Sequence, residues 1–427
     1  MKRRILVASL QIEAHQRSEF AKNWPAIVRR IQEAARAGSK IIVLPEGTAP
    51  AYVLGYDPYD GKESLQALAN CRAIAQDFRT TIVIGSARKD RSCLYNSATV
   101  LDNDGTVAGV TDKQFLWHFD SQWFSPGKRL EPIPSSAGTL GALICADGRI
   151  PTIAATLARK GAQILVMPTA WVTSGRDALA LENVQADLLA GIRARENSLP
   201  FIAANKVGVE LGCVAYCGKS QIRNAAGDLV AMASQDRAET LLAEVELNEA
   251  VFGPIEPAAN ISTRTPLQAS MRVAISAENV MSIARDHLRI LQSDALIATD
   301  SAAHEIDATV PTIFATDAMM FDPAGLVPYK LAGYGLCVWR TGYDRNWQEA
   351  FARARAIELR MYVVVIDTKH NRAYAVDPDG AIVCGTFGDY RIAAFTLDPA
   401  RVTQTLVAPS TDIIDGLRRA SVAASRR

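Results

Sequence analysis

The stretch LGALICADGRIP, residues 140–151, passes from an apolar run into a short polar turn and then into a segment that starts with proline. Leu140 to Ile144 has the apolar continuity of a buried strand, and Pro151 to Lys160 has the pattern of a helix. Cys145 stands at the end of the strand. The stretch therefore predicts a strand–turn–helix unit that carries a cysteine at its turn.

The same alternation of strands and helices extends in both directions from this unit. Further strands are predicted at Arg4 to Ser9, Ile41 to Leu44, Thr81 to Gly85, Gln163 to Pro168, Phe201 to Asn205, Lys219 to Arg223 and Leu241 to Val245. Helices are predicted at Asn23 to Gly38, with Asn23 as the N-cap, at Leu65 to Phe78 and at Leu181 to Glu196. Elements of these lengths indicate a layered α/β domain over residues 1–250.

A break in composition follows this domain. Residues 251–261 contain two prolines and a glycine and are predicted to be a linker. The chain then resumes with a strand at Met271 to Ile275, a helix at Val280 to Gln292 and a strand at Ala295 to Ala298. Residues 262–405 are predicted to form a second domain, and residues 406–427 a C-terminal tail with helical character.

Two sequence echoes indicate that the second domain is an eroded repeat of the first. Ala194-Arg195-Glu196 precedes the strand from Phe201, and Ala356-Ile357-Glu358 precedes an apolar run from Val363. The turn at Asp377 to Gly380 likewise resembles the one at residues 225–228. A duplicated domain explains both echoes in the same order, and chance similarity of two α/β stretches is the alternative.

Charge and cysteine usage limit the classes of partner. The chain of 427 residues has 46 Lys plus Arg against 45 Asp plus Glu, so no strong field favours nucleic acid or an anionic membrane. No apolar run approaches the roughly 20 residues needed to span a bilayer, so we expect a soluble, cytoplasmic protein. Seven scattered cysteines fit a reducing compartment, and Cys213 and Cys217 are read as half-buried strand cysteines rather than a zinc site.

Three segments of the first domain place a reactive side chain at or just beyond an apolar run: IIVLPE (41–46), DKQFL (112–116) and LICADGR (143–149). In this order, Glu46, Lys113 and Cys145 resemble the Glu-Lys-Cys motifs of the nitrilase superfamily of carbon–nitrogen hydrolases. The segments VMPTAW (166–171), AREN (194–197), ANKVG (204–208) and GKS (218–220) add to the resemblance. Together the segments cover about residues 4 to 248.

The resemblance implies an α-β-β-α sandwich and a mechanism. A thiol is mostly protonated at neutral pH, so Cys145 needs Glu46 as its base, provided that burial raises the pKa of Glu46 towards neutrality. Lys113 and the backbone N–H of Ala146 would stabilise the oxyanion. The product of attack would be a thioester that water hydrolyses. Trp171, at the end of its motif, is expected to support the site.

Departures from the family motifs limit the detail. Many family members carry a second glutamate after the lysine; here the nearest acid is Asp120, which would support Lys113 directly or through a water, unless it is a surface residue. The motif Asp-x-Arg-x-Pro-Glu is matched by Asp147, Arg149 and Pro151 but has Thr152 in place of the acid. We expect Asp147 and Arg149 to pair and to hold the nucleophile turn. Cys-Ala-Asp, rather than the Cys-Trp-Glu of nitrilases proper, favours amide or carbamoyl substrates over nitriles.

No phosphate loop, serine elbow or histidine-rich cluster is present, so no cofactor and no metal is expected. The second domain lacks the triad: the stretch Ile297 to Asp300 has no Pro-Glu, and Cys337 lies on a strand-like run. We therefore expect one active site per chain. The inactive copy would make the chain an intramolecular pseudo-dimer, and further homo-oligomerisation is left open.

Four functions remain to be weighed. Hydrolysis of a small amide leads. An N-carbamoyl amino acid or ureide hydrolase would need a carboxylate-binding residue, for which Arg149, Arg195 and Lys206 are candidates. A non-catalytic scaffold is disfavoured because Glu46, Lys113 and Cys145 are all present. An acyltransferase is a further option, although such relatives often sit in membranes.

Overall fold

A computed structural model of the chain describes residues 3–173, 183–252, 261–265, 268–279, 292–299, 311–388 and 390–425. Most of the predicted linker, nearly all of the helix predicted from Val280 and the residue Asp300 lie outside these ranges. The chain divides into two compact units. The first comprises Met1–Val251, Ala408–Thr411 and Arg419–Arg427, and the second comprises Phe252–Val407 and Asp412–Arg418.

The first unit contains fourteen described strands. They are β1 (Arg4–Glu13), β2 (Ile41–Val43), β3 (Thr81–Asp90), β4 (Cys93–Leu101), β5 (Val107–Asp112), β6 (Ile133–Ser135), β7 (Gly138–Ala142), β8 (Ile164–Pro168), β9 (Phe201–Ala204), β10 (Lys206–Glu210), β11 (Val214–Cys217), β12 (Gln221–Arg223), β13 (Leu229–Met232) and β14 (Glu239–Glu246). Its described α-helices are α1 (Phe20–Arg36), α2 (Lys62–Phe78), α3 (Pro151–Arg159) and α4 (Ala190–Asn197).

These strands form two sheets. The first has the order β11-β10-β1-β2-β3-β4-β5, with β14 also paired to β1, and the second has the order β13-β12-β9-β8-β7-β6. Strands β1, β2 and β3 are parallel, as are β7, β8 and β9. The carboxyl ends of parallel strands lie at one edge of a sheet, so the residues that follow β2, β7 and β8 share one end of the domain.

The helices cover the outer faces of the two sheets. Helix α1 buries Trp24, Ile27 and Ile31 against alternate residues of the first sheet, such as Leu10 and Ile42. This spacing follows from the helical period of 3.6 and the strand period of 2. Helices α3 and α4 pack on the second sheet, and the hydroxyl of Ser9 donates to the carbonyl of Ala203 across the two sheets. The predicted α-β-β-α sandwich is confirmed.

The structure corrects several local predictions. Asn23 is not an N-cap: helix α1 starts at Phe20, and the amide of Asn23 donates to the carbonyl of Glu19 inside the helix. Helix α4 is preceded by a π-helical turn over Gln185–Leu189. Cys217 is buried in β11, but Cys213 is exposed and precedes that strand. Strands β4 and β5 were not predicted, because their alternating polar residues weaken the apolar signal.

The second unit also contains two main sheets, besides a two-stranded one. Its strands are β15 (Met271–Ile275), β16 (Ala295–Ile297), β17 (Thr312–Ala315), β18 (Leu336–Thr341), β19 (Tyr362–Asp367), β20 (Arg372–Val376), β21 (Ile382–Gly385), β22 (Ala393–Leu397), β23 (Leu406–Ala408) and β24 (Thr411–Asp412). The main sheets have the orders β16-β15-β22 and β17-β18-β19-β20-β21. Val273 and Ile275 of one sheet share a core with Val338 and Val364 of the other.

The helices from residue 317 onward are α5 (Asp317–Phe321), α6 (Val327–Leu331), α7 (Arg345–Leu359), α8 (Pro399–Thr403) and α9 (Ile413–Ser425). Helix α7 is capped by Asp344, whose carboxylate accepts the N–H of Asn346. Helix α9 occupies most of the predicted tail. Within the described parts of the chain, no helix combines the length and the apolar character needed to cross a membrane.

Candidate active site

Cys145 occupies a strained turn at the end of the second sheet. Strand β7 stops at Ala142, and a short 3₁₀ turn runs from Cys145 to Arg149. The backbone φ of Cys145 is 45°, in the left-handed region that non-glycine residues seldom occupy and that is associated with functional sites. The residue is only 5% exposed, so the turn holds its sulfur inside the unit.

Glu46 reaches the same place from the first sheet. It lies three residues beyond β2, and its backbone N–H donates to the carbonyl of Thr169, which follows β8. Gly85 makes this path possible, because a Cβ there would lie 2.3 Å from the carbonyl oxygen of Pro45. The Thr169 side chain and the Ala170 backbone lie beside the Cys145 sulfur. The ends of the two sheets thus bring Glu46 close to Cys145.

Lys113 follows β5 and lies between two carboxylates. Its Nζ is 2.7 Å from Oε1 of Glu46 and 2.6 Å from Oδ2 of Asp120. All three side chains are completely removed from solvent. Burial alone would lower the pKa of Lys113, but the charges of Asp120 and Glu46 raise it well above its ordinary value. Lys113 is therefore a permanent cation rather than a proton donor or acceptor at neutral pH.

The thiol of Cys145 is protonated in this environment. Burial, followed by the nearby charge of Glu46, raises its pKa to about 12, and Lys113 acts in the opposite direction. Oε2 of Glu46 is buried and has no hydrogen-bond partner among the described residues, whereas Oε1 accepts from Lys113 and from Nδ2 of Asn96 at 2.6 Å. One carboxylate oxygen is thus fixed and the other is available for a proton.

Asp120 contacts Lys113 directly, although its side chain is shorter than that of the glutamate in many family members. It lies in a 3₁₀ turn over His118–Gln122, and its Oδ2 also accepts the backbone N–H of Trp117 at 2.9 Å. This turn brings the loop close enough that no bridging water is needed. Asp120 is not a surface residue.

Asp147 links the segment of Lys113 to the segment of Cys145. Its Oδ1 accepts the N–H groups of Gln114 (3.0 Å) and Phe115 (2.8 Å), and its Oδ2 accepts that of Ile144 (2.9 Å). The expected pair with Arg149 is wrong, because these backbone donors occupy the carboxylate. Burial raises the pKa of Asp147 to about 7, and the three N–H groups and Lys113 act against that rise.

Ala146 and Trp171 are both buried. Ala146 is buried at the second position of the nucleophile turn, where a backbone N–H has no acceptor within the turn. The backbone N–H of Trp171 donates to Oδ1 of Asn205 at 2.7 Å. This bond holds the strand end that carries Thr169 and Ala170.

Sequence analysis named Lys206 only as a possible carboxylate ligand and missed the buried polar cluster that it forms beneath Glu46. Nζ of Lys206 donates to the carbonyl of Gly47 at 2.9 Å and lies 3.7 Å from Glu210. The carboxylate of Glu210 in turn accepts from the Tyr216 hydroxyl (2.6 Å) and the N–H of Val53 (2.8 Å). A lysine and a glutamate in a strand are usually solvated, so their sequence carries no signal of burial.

The aromatic residues Tyr52, Phe119 and Tyr216 pack with Ala170 beside these charges. The ring of Tyr52 lies 6.0 Å from Nζ of Lys113, and burial, followed by the charges of Asp120 and Glu46, raises the pKa of its hydroxyl well above the ordinary value. The charged side chains of Glu46, Lys113 and Asp120 are therefore bordered by apolar residues on one side. In the parts of the chain that the structure describes, no three His, Cys, Asp or Glu side chains converge in a way that could hold a metal ion.

Comparison with known proteins places this site in a family. The profile of the carbon-nitrogen hydrolase family matches residues 6–252. A nitrilase from Pyrococcus abyssi is 30% identical over 237 residues, which cover 53% of this chain and 84% of that protein. An N-carbamoylputrescine amidase from Arabidopsis thaliana is 24% identical over 266 residues, covering 58% and 88%.

A solved structure supports the same assignment. The carbon-nitrogen hydrolase from Helicobacter pylori G27 is 28% identical, has a TM-score of 0.51 and covers 57% of this chain and 89% of that one. The matched range of the family profile coincides with the first unit, which holds Glu46, Lys113 and Cys145. The chain therefore belongs to the carbon-nitrogen hydrolase family, in the amidase-like branch of the nitrilase superfamily.

Proposed function

We propose that the protein hydrolyses the carbon–nitrogen bond of a small amide through a thioester on Cys145, releasing ammonia or an amine. The observation that carries this proposal is the buried cluster of Glu46, Lys113 and Asp120 beside Cys145. The contacts of each side chain in this cluster suit one catalytic role.

Glu46 is the base for attack. Because the thiol of Cys145 has a pKa of about 12, the free enzyme contains little thiolate, and the proton must leave as the sulfur attacks. The available Oε2 of Glu46 can accept it, while Oε1 remains anchored by Lys113 and Asn96. Glu46 then returns the proton to the departing nitrogen.

Lys113 stabilises the oxyanion that forms during attack. Its charge is fixed by Glu46 and Asp120 and is fully buried, so its electrostatic effect is stronger than it would be in water. The backbone N–H of Ala146 supplies a second donor at the nucleophile turn. Asp120 holds the Lys113 ammonium in position while the thiol attacks and the amine leaves.

The second half of the reaction uses the same base. Departure of the amine leaves an acyl group on the Cys145 sulfur and a carboxylate on Glu46, which can remove a proton from an entering water. Collapse of the second tetrahedral intermediate releases the acid and restores the thiol. The overall reaction consumes only the amide and one water molecule.

The alternative substrate is an N-carbamoyl compound, and one relative bears such a name. Of the three candidate carboxylate ligands, Arg195 donates to the carbonyl of Ala226 at a more exposed position, and Lys206 is occupied beneath Glu46. Arg149 is the remaining candidate. The scaffold alternative is disfavoured because a buried ammonium held by two carboxylates has no evident use in association.

Intact-protein mass spectrometry tests the proposal. Wild type and Cys145→Ala are incubated with amides, N-carbamoyl acids and nitriles, and adduct and product are followed together. We expect an acyl adduct on Cys145 in wild type and neither adduct nor turnover in Cys145→Ala. Equal turnover by the two proteins would refute a cysteine mechanism.

We also propose that the second unit is a shortened, inactive copy of the first. In support, β15 is parallel to β16 and antiparallel to β22, as β1 is to β2 and β14. The sheet β17-β18-β19-β20-β21 repeats the order and directions of β7-β8-β9-β12-β13. Only residues 298–311 separate β16 from β17, too few for counterparts of β3 to β5 and hence of Lys113.

A buried ion pair in each unit supports this proposal and suggests which position would correspond to Cys145. In the first unit Arg193 donates to Glu196 and to the carbonyl of Gly148, three residues after Cys145. In the second unit Arg355 donates to Glu358 and to the carbonyl of Met320. Three residues before Met320 stands Asp317, whose carboxylate accepts from the Trp339 indole at 2.8 Å.

This copy would leave one active site per chain. We expect at most one acyl adduct per chain, mapped to residues 140–151, and full activity in Cys337→Ser and Cys384→Ser. An adduct within residues 311–388 would overturn the proposal.

All seven cysteines are free, which supports the proposed cytoplasmic location. A monomer in sedimentation would fit the proposed pseudo-dimer, and a larger particle would show the homo-oligomer left open above.

A further inference from the structure

Arg149 ends the nucleophile turn and has an unusual environment. Its guanidinium lies over the ring of Trp117, 4.4 Å from the centroid. Its Nε is buried, and among the described residues it has no hydrogen-bond partner. Among the described residues, no carboxylate forms an ion pair with it, and the Trp117 ring is its aromatic partner. An arginine whose Nε is removed from water without a hydrogen-bond partner is energetically costly.

The carboxylates that could have paired with Arg149 are used or missing. Both oxygens of Asp147 accept backbone N–H groups. At position 152, where the family motif often carries an acid, this chain has threonine. Oγ1 of Thr152 is itself buried without a partner among the described residues. Two polar groups three residues apart thus lack partners on the segment that carries the nucleophile.

Arg149 also lies next to the reacting groups. The backbone N–H of Trp117, on whose ring it stacks, donates to the same Asp120 oxygen that holds Lys113. Burial lowers the pKa of Arg149 to about 10, and a negative charge on Cys145 would raise it. The guanidinium therefore remains charged at neutral pH and is close enough to interact electrostatically with the Cys145 sulfur.

We propose that Arg149 binds a carboxylate of the substrate, so that the enzyme acts on small amides or N-carbamoyl compounds that also carry an acid group. This inference rests on the proposed function and names its substrate class. A guanidinium suits the task because it donates two parallel hydrogen bonds to a carboxylate. The contact with the Trp117 ring helps to hold the guanidinium while its Nε has no acceptor among the described residues, and Thr152 can add a hydroxyl donor.

Paired substrates give the sharpest test. The monoamides of dicarboxylic acids with four to six carbons are compared with uncharged amides of the same chain length, and kcat/KM is measured for each. The proteins are wild type, Arg149→Met, Arg149→Lys and the control Arg195→Met. Methionine keeps much of the apolar stem of arginine but removes its charge and its donors.

We expect wild type to prefer the acidic amides. Arg149→Met should lower that preference roughly 10- to 100-fold, mainly through KM, which is the range expected for losing hydrogen bonds to a charged group. Arg149→Lys should retain part of it, and Arg195→Met all of it. Because an altered turn can misfold, the same preference is measured as binding to Cys145→Ser, whose Arg149 is intact.

The outcomes separate this inference from the proposed function. Equal kcat/KM of wild type for acidic and neutral amides, or a loss in Arg149→Met that is the same for both, overturns the role of Arg149 while hydrolysis stands. Equal binding of both amides by Cys145→Ser has the same meaning. If wild type forms no adduct on Cys145 with any amide or carbamoyl compound, the proposed function fails, and the role of Arg149 fails with it.

Discussion

The ammonium of Lys113 lies 2.6 Å from the carboxylate of Asp120, with both side chains removed from solvent. Glu46 adds a second carboxylate at 2.7 Å, so the cluster holds one positive and two negative charges when all are ionised. Two carboxylates raise the pKa of Lys113 and hold its charge. This arrangement depends on Asp120 as much as on the residues that the motifs single out.

Asp120→Asn should lower kcat/KM by about 100-fold, because the ammonium loses one of its two anchors and its position for the oxyanion. Asp120→Glu should retain more activity but lose about 1–3 kcal/mol of stability, because an extra methylene enters a filled site. Steady-state kinetics and thermal unfolding measure the two effects. The exposed pair of Asp60 and Lys62 offers the control Asp60→Asn. Unchanged kcat/KM in Asp120→Asn would remove Asp120 from the mechanism.

Glu46→Gln should lower kcat by about 10²–10⁴-fold, yet make Cys145 easier to alkylate. Burial and then the charge of Glu46 keep the pKa of the thiol near 12, and glutamine removes the second of these causes. The rate of iodoacetamide modification, followed against pH by intact mass, should therefore shift to lower pH. A shift to higher pH would mean that Glu46 promotes rather than opposes ionisation of the thiol in the free enzyme.

Asp147 should make stability depend on pH between about 4 and 7. Burial raises its pKa from 3.8 to about 7 in the folded protein, so across this interval the folded state binds a proton that the unfolded state does not. Its contribution to stability is complete below pH 3.8 and is lost as the pH rises through about 7. The total change is about 4 kcal/mol.

Asp147→Asn provides the comparison, because asparagine cannot ionise. Unfolding by urea at several pH values should show that the free energy of wild type falls relative to Asp147→Asn between pH 4 and pH 7. The difference should then stay constant above about pH 8. A difference that does not vary with pH would show that the carboxylate is already ionised at acidic pH in the folded protein.

Lys206→Met should cost about 3 kcal/mol of stability, because Glu210 would keep a buried charge without its cation. The change also removes the donor to the carbonyl of Gly47, the residue after the base. The double variant with Glu210→Gln should recover about 1–3 kcal/mol as coupling energy. Denaturation of the four proteins gives this cycle, and strict additivity would contradict a coupled pair.

Much of the site was predictable because its principal residues follow apolar runs. A run such as Leu140 to Ile144 indicates a buried strand from local composition alone, and the residue after it must lie at a strand end. Asp147 and Arg149 were both recognised in the motif, but their predicted pairing was wrong. The choice between an arginine and three backbone N–H groups depends on where the segment after β5 runs, which no pattern near Asp147 contains.

By itself the sequence determined the buried parallel strands of the first unit, most of its helices and the order of Glu46, Lys113 and Cys145, because periodicity and strand ends are local properties. Only the tertiary structure decided that Asn96 and Asp120 join the cluster, that Cys145 has a positive φ, and that Arg149 lies over Trp117 with no ion-pair partner among the described residues. These features arise where loops of two different sheets meet. The meeting is set by packing between residues far apart in the chain, and hydrophobic patterns report which face is buried but not which side chains share it.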